Sequence, residues 1–307
     1  MINSTSGPLK SLALPLFACA VTALCVLISR NSQGADRPVP FTAEGSLTKA
    51  DYDQHLKELK QRLPHDGFSI VIQKPFVVIG DEPLETVKVR AEKTVKWAVD
   101  HLRREYFTRD PVAILDIWLF RDANSYEEYT EQLTKRKPTT PYGFYSSANK
   151  ALFMNISTGG GTLVHEIVHP FMESNFPGCP SWFNEGLASL YEQSSERNGR
   201  IIGLTNWRLK GLQSAIRKET VPPFSTLCRT TTSEFYNQDK GTNYSQARYL
   251  CYYLQERGLL QKFYNAFRKN VAEDPSGLKT LKLILQEEDL DDFQLRWQES
   301  VMKLKFE

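Results

Sequence analysis

Cysteine is scarce and poorly placed for cross-linking. The 307-residue chain has five, and two of them, Cys19 and Cys25, fall in its first thirty residues. Cys179, Cys228 and Cys251 remain, an odd set that excludes a disulfide framework. Cys179 and Cys228 lie in proline-containing stretches and could pair in an oxidising compartment; the alternative, all three free, stands equally. None is spaced from another as metal-ligand pairs are. Net charge is missing as well. Thirty-eight Lys and Arg against 36 Asp and Glu leave +2, which argues against a nucleic-acid partner or a polybasic membrane patch. No repeat of fixed period and no long low-complexity tract is present, which excludes solenoids and arrays.

What is present is ordinary globular material: 41% apolar and 24% charged residues. The length suffices for one large domain or two tightly joined ones. The N-terminus stands apart. Lys10 precedes an apolar run from Leu12 to Ile28, closed by Arg30. A basic start, an apolar middle and a polar exit make residues 1–30 a signal peptide or an uncleaved membrane anchor. Residues 31–50, with Pro38, Pro40 and Gly45, read as a linker. Residues 12–28 therefore offer a membrane association, and the expected location is extracytoplasmic, either secreted or periplasmic.

Residues 51–307 read as an α+β domain. The part from 51 to 160 mixes strands and helices, and the part from 161 to 307 is mostly helical. Helical character is expected over 51–63, 84–106, 125–134, 162–175, 181–193, 209–218, 232–237, 244–257, 260–270, 277–286 and 290–304. Residues 68–80 and 113–120 read as strands. Residues 142–145 and 151–156 pair as a hairpin through 146–149, and 198–207 is a turn with a strand-like stretch.

The chemistry concentrates in His165-Glu166-Ile167-Val168-His169. Two histidines four apart on a helix lie one turn apart on one face, so both imidazoles can reach one ion. Glu166 is rotated by about 100° from His165. It can face an activated water as a general base without ligating the metal. A catalytic zinc ion needs a third protein ligand and one open position. Fifteen residues after His169 comes Glu185, within Ser181-Trp182-Phe183-Asn184-Glu185-Gly186-Leu187-Ala188-Ser189. Pro177, Gly178 and Pro180 give the chain room to turn and present it. Pro170, directly after the second histidine, is expected to kink or distort the motif helix. His55, His65 and His101 lie far from the motif and are assigned no role.

Together, His-Glu-x-x-His and the glutamate of Trp-Phe-Asn-Glu-Gly-Leu-Ala resemble the gluzincin metallopeptidases, a clan that includes the thermolysin and aminopeptidase N groups. The resemblance covers residues 140–260. It implies a zincin-like fold, Zn2+ on His165, His169 and Glu185, Glu166 as base, and a polypeptide substrate. It further implies a phenol that stabilises the oxyanion. Tyr244 lies 59 residues beyond Glu185 in Asn243-Tyr244-Ser245-Gln246-Ala247-Arg248-Tyr249-Leu250 and matches that pattern, with Tyr236 and Tyr249 as substitutes. Ser189 is the candidate partner behind a ligating histidine. Leu152–Asn155, with Gly160 and Gly161, resembles the edge strand that pairs with substrate backbone in this clan. No signature for binding a free amino terminus is present. Two other functions fit the same residues: a non-catalytic binding or scaffold protein on a peptidase-like fold, and a zinc hydrolase acting on a non-protein envelope substrate.

Overall fold

The computed structural model describes residues 47–238 and 242–306. The expected signal or anchor segment, its apolar run 12–28 and most of the linker lie outside the described residues. The linker ends earlier than its composition suggested, because Thr48 already caps a helix. Its side chain accepts from the Asp51 amide while the Asp51 carboxylate reaches back, a reciprocal capping box. Helix α1 (Lys49–Lys60) follows. No described helix is long and apolar enough to cross a membrane.

The α+β organisation read from the sequence is present. The strands are β1 (Ser69–Gln73), β2 (Phe76–Gly80), β3 (Leu115–Phe120), β4 (Gly143–Ser146) and β5 (Ala151–Asn155). They form one mixed sheet in the order β1-β2-β3-β5-β4. β2, β3 and β5 are mutually parallel where they pair, and β1 and β4 close the two edges antiparallel. The inner strands are buried on both faces, and their near-continuous apolar sequences (FVVIG, LDIWLF, ALFMN) are what a doubly covered sheet demands. Val77, Ile79, Trp118, Phe120 and Phe153 face α1 and α4 (Ala123–Thr134). Phe76, Val78, Ile117, Leu119, Leu152 and Met154 face the larger core on the other side.

That larger core is built from helices. The expected rod over 84–106 exists as α2 (Leu84–Arg90) and α3 (Trp97–Glu105), with a wider π turn at Ala91–Lys96 between them. The motif helix α5 (Gly161–Asn175) packs against the sheet, and α6 (Ser181–Leu190) packs on α5. The expected helix at 181–193 stops three residues early, and the chain turns into a hairpin, β6 (Ser194–Arg197) and β7 (Arg200–Gly203). Helices α7 (Arg208–Arg217), α8 (Phe224–Leu227), α9 (Thr232–Asn237), α10 (Asn243–Glu256), α11 (Leu260–Asn270), α12 (Leu278–Leu285) and α13 (Leu290–Lys303) complete the chain. The four-residue α8 and strand β6 fell in no element expected from the sequence.

Pro170 does not end α5, which continues to Asn175 with the proline inside it. A proline there removes the hydrogen bond to the Glu166 carbonyl. The flanking packing compensates, since Phe171 and Met172 are fully buried in the core. The aromatic residues of α6 anchor it from behind. Phe183 meets Phe263 edge-on at 5.0 Å, and Trp182 lies in the same cluster with its indole N–H donating to the Ser276 carbonyl at 3.0 Å. α10 approaches α6 so closely that a Cβ at Gly186 would sit 3.0 Å from the Ala247 carbonyl oxygen and 3.1 Å from Cys251 Sγ. Cys179, Cys228 and Cys251 are all free, so the 179–228 pairing is not made.

Candidate metal centre

Helix geometry puts His165 and His169 on one face of α5, and their rings lie 4.9 Å apart at 77°. The packing of α6 on α5 brings Glu185 between them. Glu185 Oε2 is 3.2 Å from His165 Nε2, and Oε1 is 3.8 Å from His169 Nε2. One donor atom from each of these three residues lies within 4.8 Å of the others, a set that could hold a metal ion. Glu166 stands beside them, its Oε2 3.9 Å from His169 Nε2. His165, Glu166 and Glu185 are each at most 4% exposed. The four residues singled out by the sequence therefore meet at one place.

Each is held by a specific partner. His169 Nδ1 donates to Asn184 Oδ1 at 3.1 Å, which leaves Nε2 with the lone pair. The Tyr145 amide of edge strand β4 donates to Glu166 Oε2 at 2.9 Å. The Tyr236 phenol donates to Glu185 Oε1 at 2.6 Å. His165 Nδ1 lies 3.3 Å from Glu192 Oε1. The His165 contacts have ion-pair distances without hydrogen-bond alignment, so His165 Nδ1 and Glu185 Oε2 are buried with no hydrogen-bond partner. The unpartnered Glu185 Oε2 lies 3.2 Å from His165 Nε2, a pairing that a shared cation would satisfy, whereas His165 Nδ1 is on the other side of the ring, toward Glu192.

The charges point the same way. Glu166, Glu185 and Glu192 are buried together, and Arg208 is paired to Glu192. Burial raises Glu166 above the ordinary carboxylate range, and the two histidines only partly offset that. Burial also works against Glu185, but His169, His165 and the Tyr236 phenol outweigh it and hold the group down at about 2. His165 would be neutralised by burial alone; Glu185 and Glu192 on either side push it up to about 10. The surrounding carboxylates thus favour positive charge at this point of the cluster.

Other expectations need correction. Ser189 does not support a histidine: its Oγ is buried without a hydrogen-bond partner, and Glu192 occupies the place behind His165. Tyr249 turns away from the site and exchanges hydrogen bonds with the backbone of Asn206. Tyr244 lies at the edge of the site with its ring 6.3 Å from that of Tyr236, and burial, then Glu185, push its phenol up. The phenol on Glu185 is that of Tyr236. β5 is an interior strand; the edge strand beside the motif helix is β4, because the hairpin folds outward. His55 bonds Asp116 and His101 bonds the Trp97 carbonyl, both away from the cluster.

A cavity of about 260 Å3 opens at His165 and Glu166, lined also by Tyr142, Gly143, Thr162, Trp207 and Arg208. His165 and Glu166 of the candidate centre and Gly143 at the start of β4 thus border the same cavity. No protein-family model matches the chain, and a search of curated proteins finds no match.

Proposed function

We propose that the chain is a zinc-dependent metallopeptidase of the gluzincin kind, cleaving polypeptides with a metal-activated water. The observation that carries this reading is the convergence of His165, His169 and Glu185 beside a separate buried glutamate, with His165 and Glu166 lining an open cavity. Two imidazoles and a carboxylate suit zinc, and a three-ligand protein set leaves a position for solvent. A zinc ion held by them would supply Lewis acidity, acidifying a water and polarising the scissile carbonyl.

The chain's own groups do the rest. Glu166, raised by burial, is a base strong enough to take the proton of the attacking water and a good acid to pass it to the leaving amine. The β4 amide at Tyr145 fixes its carboxylate. Tyr236 holds one oxygen of Glu185, leaving the other for the metal. Tyr244, at the start of α10, is the phenol proposed to donate to the developing oxyanion. The rest of the β4 edge, beyond the Tyr145 amide held by Glu166, is proposed to pair with the substrate backbone, which gives sequence-tolerant binding. The apolar run 12–28 extends the proposal to action outside the cytoplasm.

The test is direct. The purified full chain is analysed for metal and incubated with a mixed-sequence peptide library. One zinc per chain, cleavage lost on chelation and restored by zinc are expected. Absence of bound zinc, or cleavage indifferent to chelation, overturns the proposal.

A further inference from the structure

Arg248, in the second turn of α10, is fully buried. Its hydrogen-bond partners are three main-chain carbonyls. Nε donates to the Ser189 carbonyl at 2.9 Å. Nη2 donates to the Leu190 carbonyl at 3.3 Å and also to that of Leu204. Nη1 is buried without a hydrogen-bond partner. Burial works against the charge of this guanidinium, so its directed contacts must offset the loss of water.

Those carbonyls are ones that a helix end leaves open. Ser189 and Leu190 are the last two residues of α6, where partial negative charge gathers. The planar guanidinium answers both, and the same Nη2 reaches the carbonyl just past β7. The end of α6, the exit of β7 and α10 therefore meet at one side chain. Packing around it is close, since a Cβ on Gly203 would fall 2.6 Å from the Leu190 carbonyl oxygen. Tyr249, the next residue, bonds the Asn206 main chain, and Trp207 and Arg208 beyond it line the cavity.

Arg248 stands one turn after Tyr244, so the two side chains share a face of α10. The Tyr244 ring lies 5.1 Å from the Arg208 guanidinium. It lies 6.3 Å from the ring of Tyr236, which holds Glu185. α10 touches α6 at Gly186, which has no side chain to interlock, so that contact alone fixes no register along the helices. Hydrogen bonds from one planar group do fix it.

We infer that Arg248 is a positioning residue of the proposed reaction, pinning α10 to the end of α6 and so setting the Tyr244 phenol relative to Glu185. The inference rests on the metallopeptidase reading and on the oxyanion role given to Tyr244. A slip of α10 by about 1 Å would leave the metal ligands in place yet misplace the phenol, and such a displacement costs about 10^2-fold in rate.

The experiment measures kcat, KM and zinc content of the full chain on one peptide that the wild type cleaves. Circular dichroism checks folding. Arg248→Met is expected to lower kcat by about 10^2-fold with KM and zinc content kept. Arg248→Lys, which can still reach a carbonyl, should recover part of the loss. Each change is then combined with Tyr244→Phe. In that background Arg248→Met should alter kcat by less than about 2-fold, because the phenol it positions is gone. Glu105→Gln breaks a pair with Arg200 away from the centre and should lower stability with kcat unchanged. Should Arg248→Met not fold, Arg248→Lys goes through the same cycle, with a smaller loss expected. Wild-type kcat in the variant measured, losses that add fully to that of Tyr244→Phe, or activity that falls only in step with zinc content overturns the inference. Wild-type kcat in Tyr244→Phe overturns the role of that phenol and this inference with it, while the zinc reading stands. A wild-type chain without zinc-dependent cleavage overturns the metallopeptidase reading itself, and this inference too.

Discussion

Replacing Glu166 with glutamine separates catalysis from structure at a single atom. Glutamine has the same shape and keeps an oxygen to accept the Tyr145 amide, now made at 2.9 Å. It loses the ability to take a proton. Removal of a general base costs about 10^2- to 10^4-fold in rate, which is about 3–5 kcal/mol in the barrier. The expected loss falls on kcat with KM nearly unchanged. Stability should move the other way. Burial raises Glu166, so its charged form is disfavoured in the folded state. The stability linked to this group is therefore present at low pH and lost as pH rises above its unfolded value. Wherever Glu166 is ionised the wild type holds a costly buried charge, and the glutamine variant does not. Its metal-free melting temperature should equal or exceed that of wild type, with zinc content intact. The assays are steady-state peptide cleavage, metal analysis and thermal unfolding after chelation. A variant with wild-type kcat, or one that loses activity only because it has unfolded, refutes the reasoning.

Four further outcomes are expected. Tyr236→Phe removes a hydrogen bond to a buried carboxylate, worth about 1.5–3 kcal/mol, and should lower metal-free stability and zinc affinity. Tyr244→Phe should instead lower kcat by about 10^2-fold with zinc retained, and the reverse pattern in paired titration and kinetics would reverse these roles. Gly161→Ala puts a Cβ 2.0 Å from a backbone oxygen and should destabilise the fold measurably in urea titration, whereas an unaffected midpoint would deny the close contact. For the chelated protein, the depressed Glu185 contributes stability present above about pH 4.5 and lost as pH falls through about 2. His165, raised to about 10, contributes stability present below about 6.5 and lost as pH rises through about 10. Thermal unfolding across pH should therefore peak in mildly acidic buffer; a melting temperature that climbs from pH 6.5 to 9 contradicts this.

Much of the centre was legible because it is local. Two histidines four apart must share a helix face whatever the rest of the chain does, and the run of apolar and aromatic residues around Glu185 marked a buried carboxylate. The supporting residues were not legible, because their partners are distant in the chain. Glu192 meets His165 across 27 residues and Arg208 across 16. It was read as one more residue on a helix that in fact ends at Leu190. The Tyr145 amide is invisible to any search of side chains. Alternation identified β4 and β5 as a hairpin but not which strand lies outward, since periodicity carries no lateral order. Ser189 failed as a partner although its one-turn spacing from Glu185 was right: spacing along a helix says nothing of what stands opposite.

The near contact of α10 with Gly186 makes the rear of α6 a tuning point for the proposed metal centre. Residue 186 neighbours Glu185 but points the other way, into Ala247 and Cys251. Adding a single methyl there would press against α10 and so displace α6, and Glu185 with it, without touching any candidate ligand. The cage could thus be narrowed or skewed from outside, altering which cation radius it prefers while every donor residue is kept.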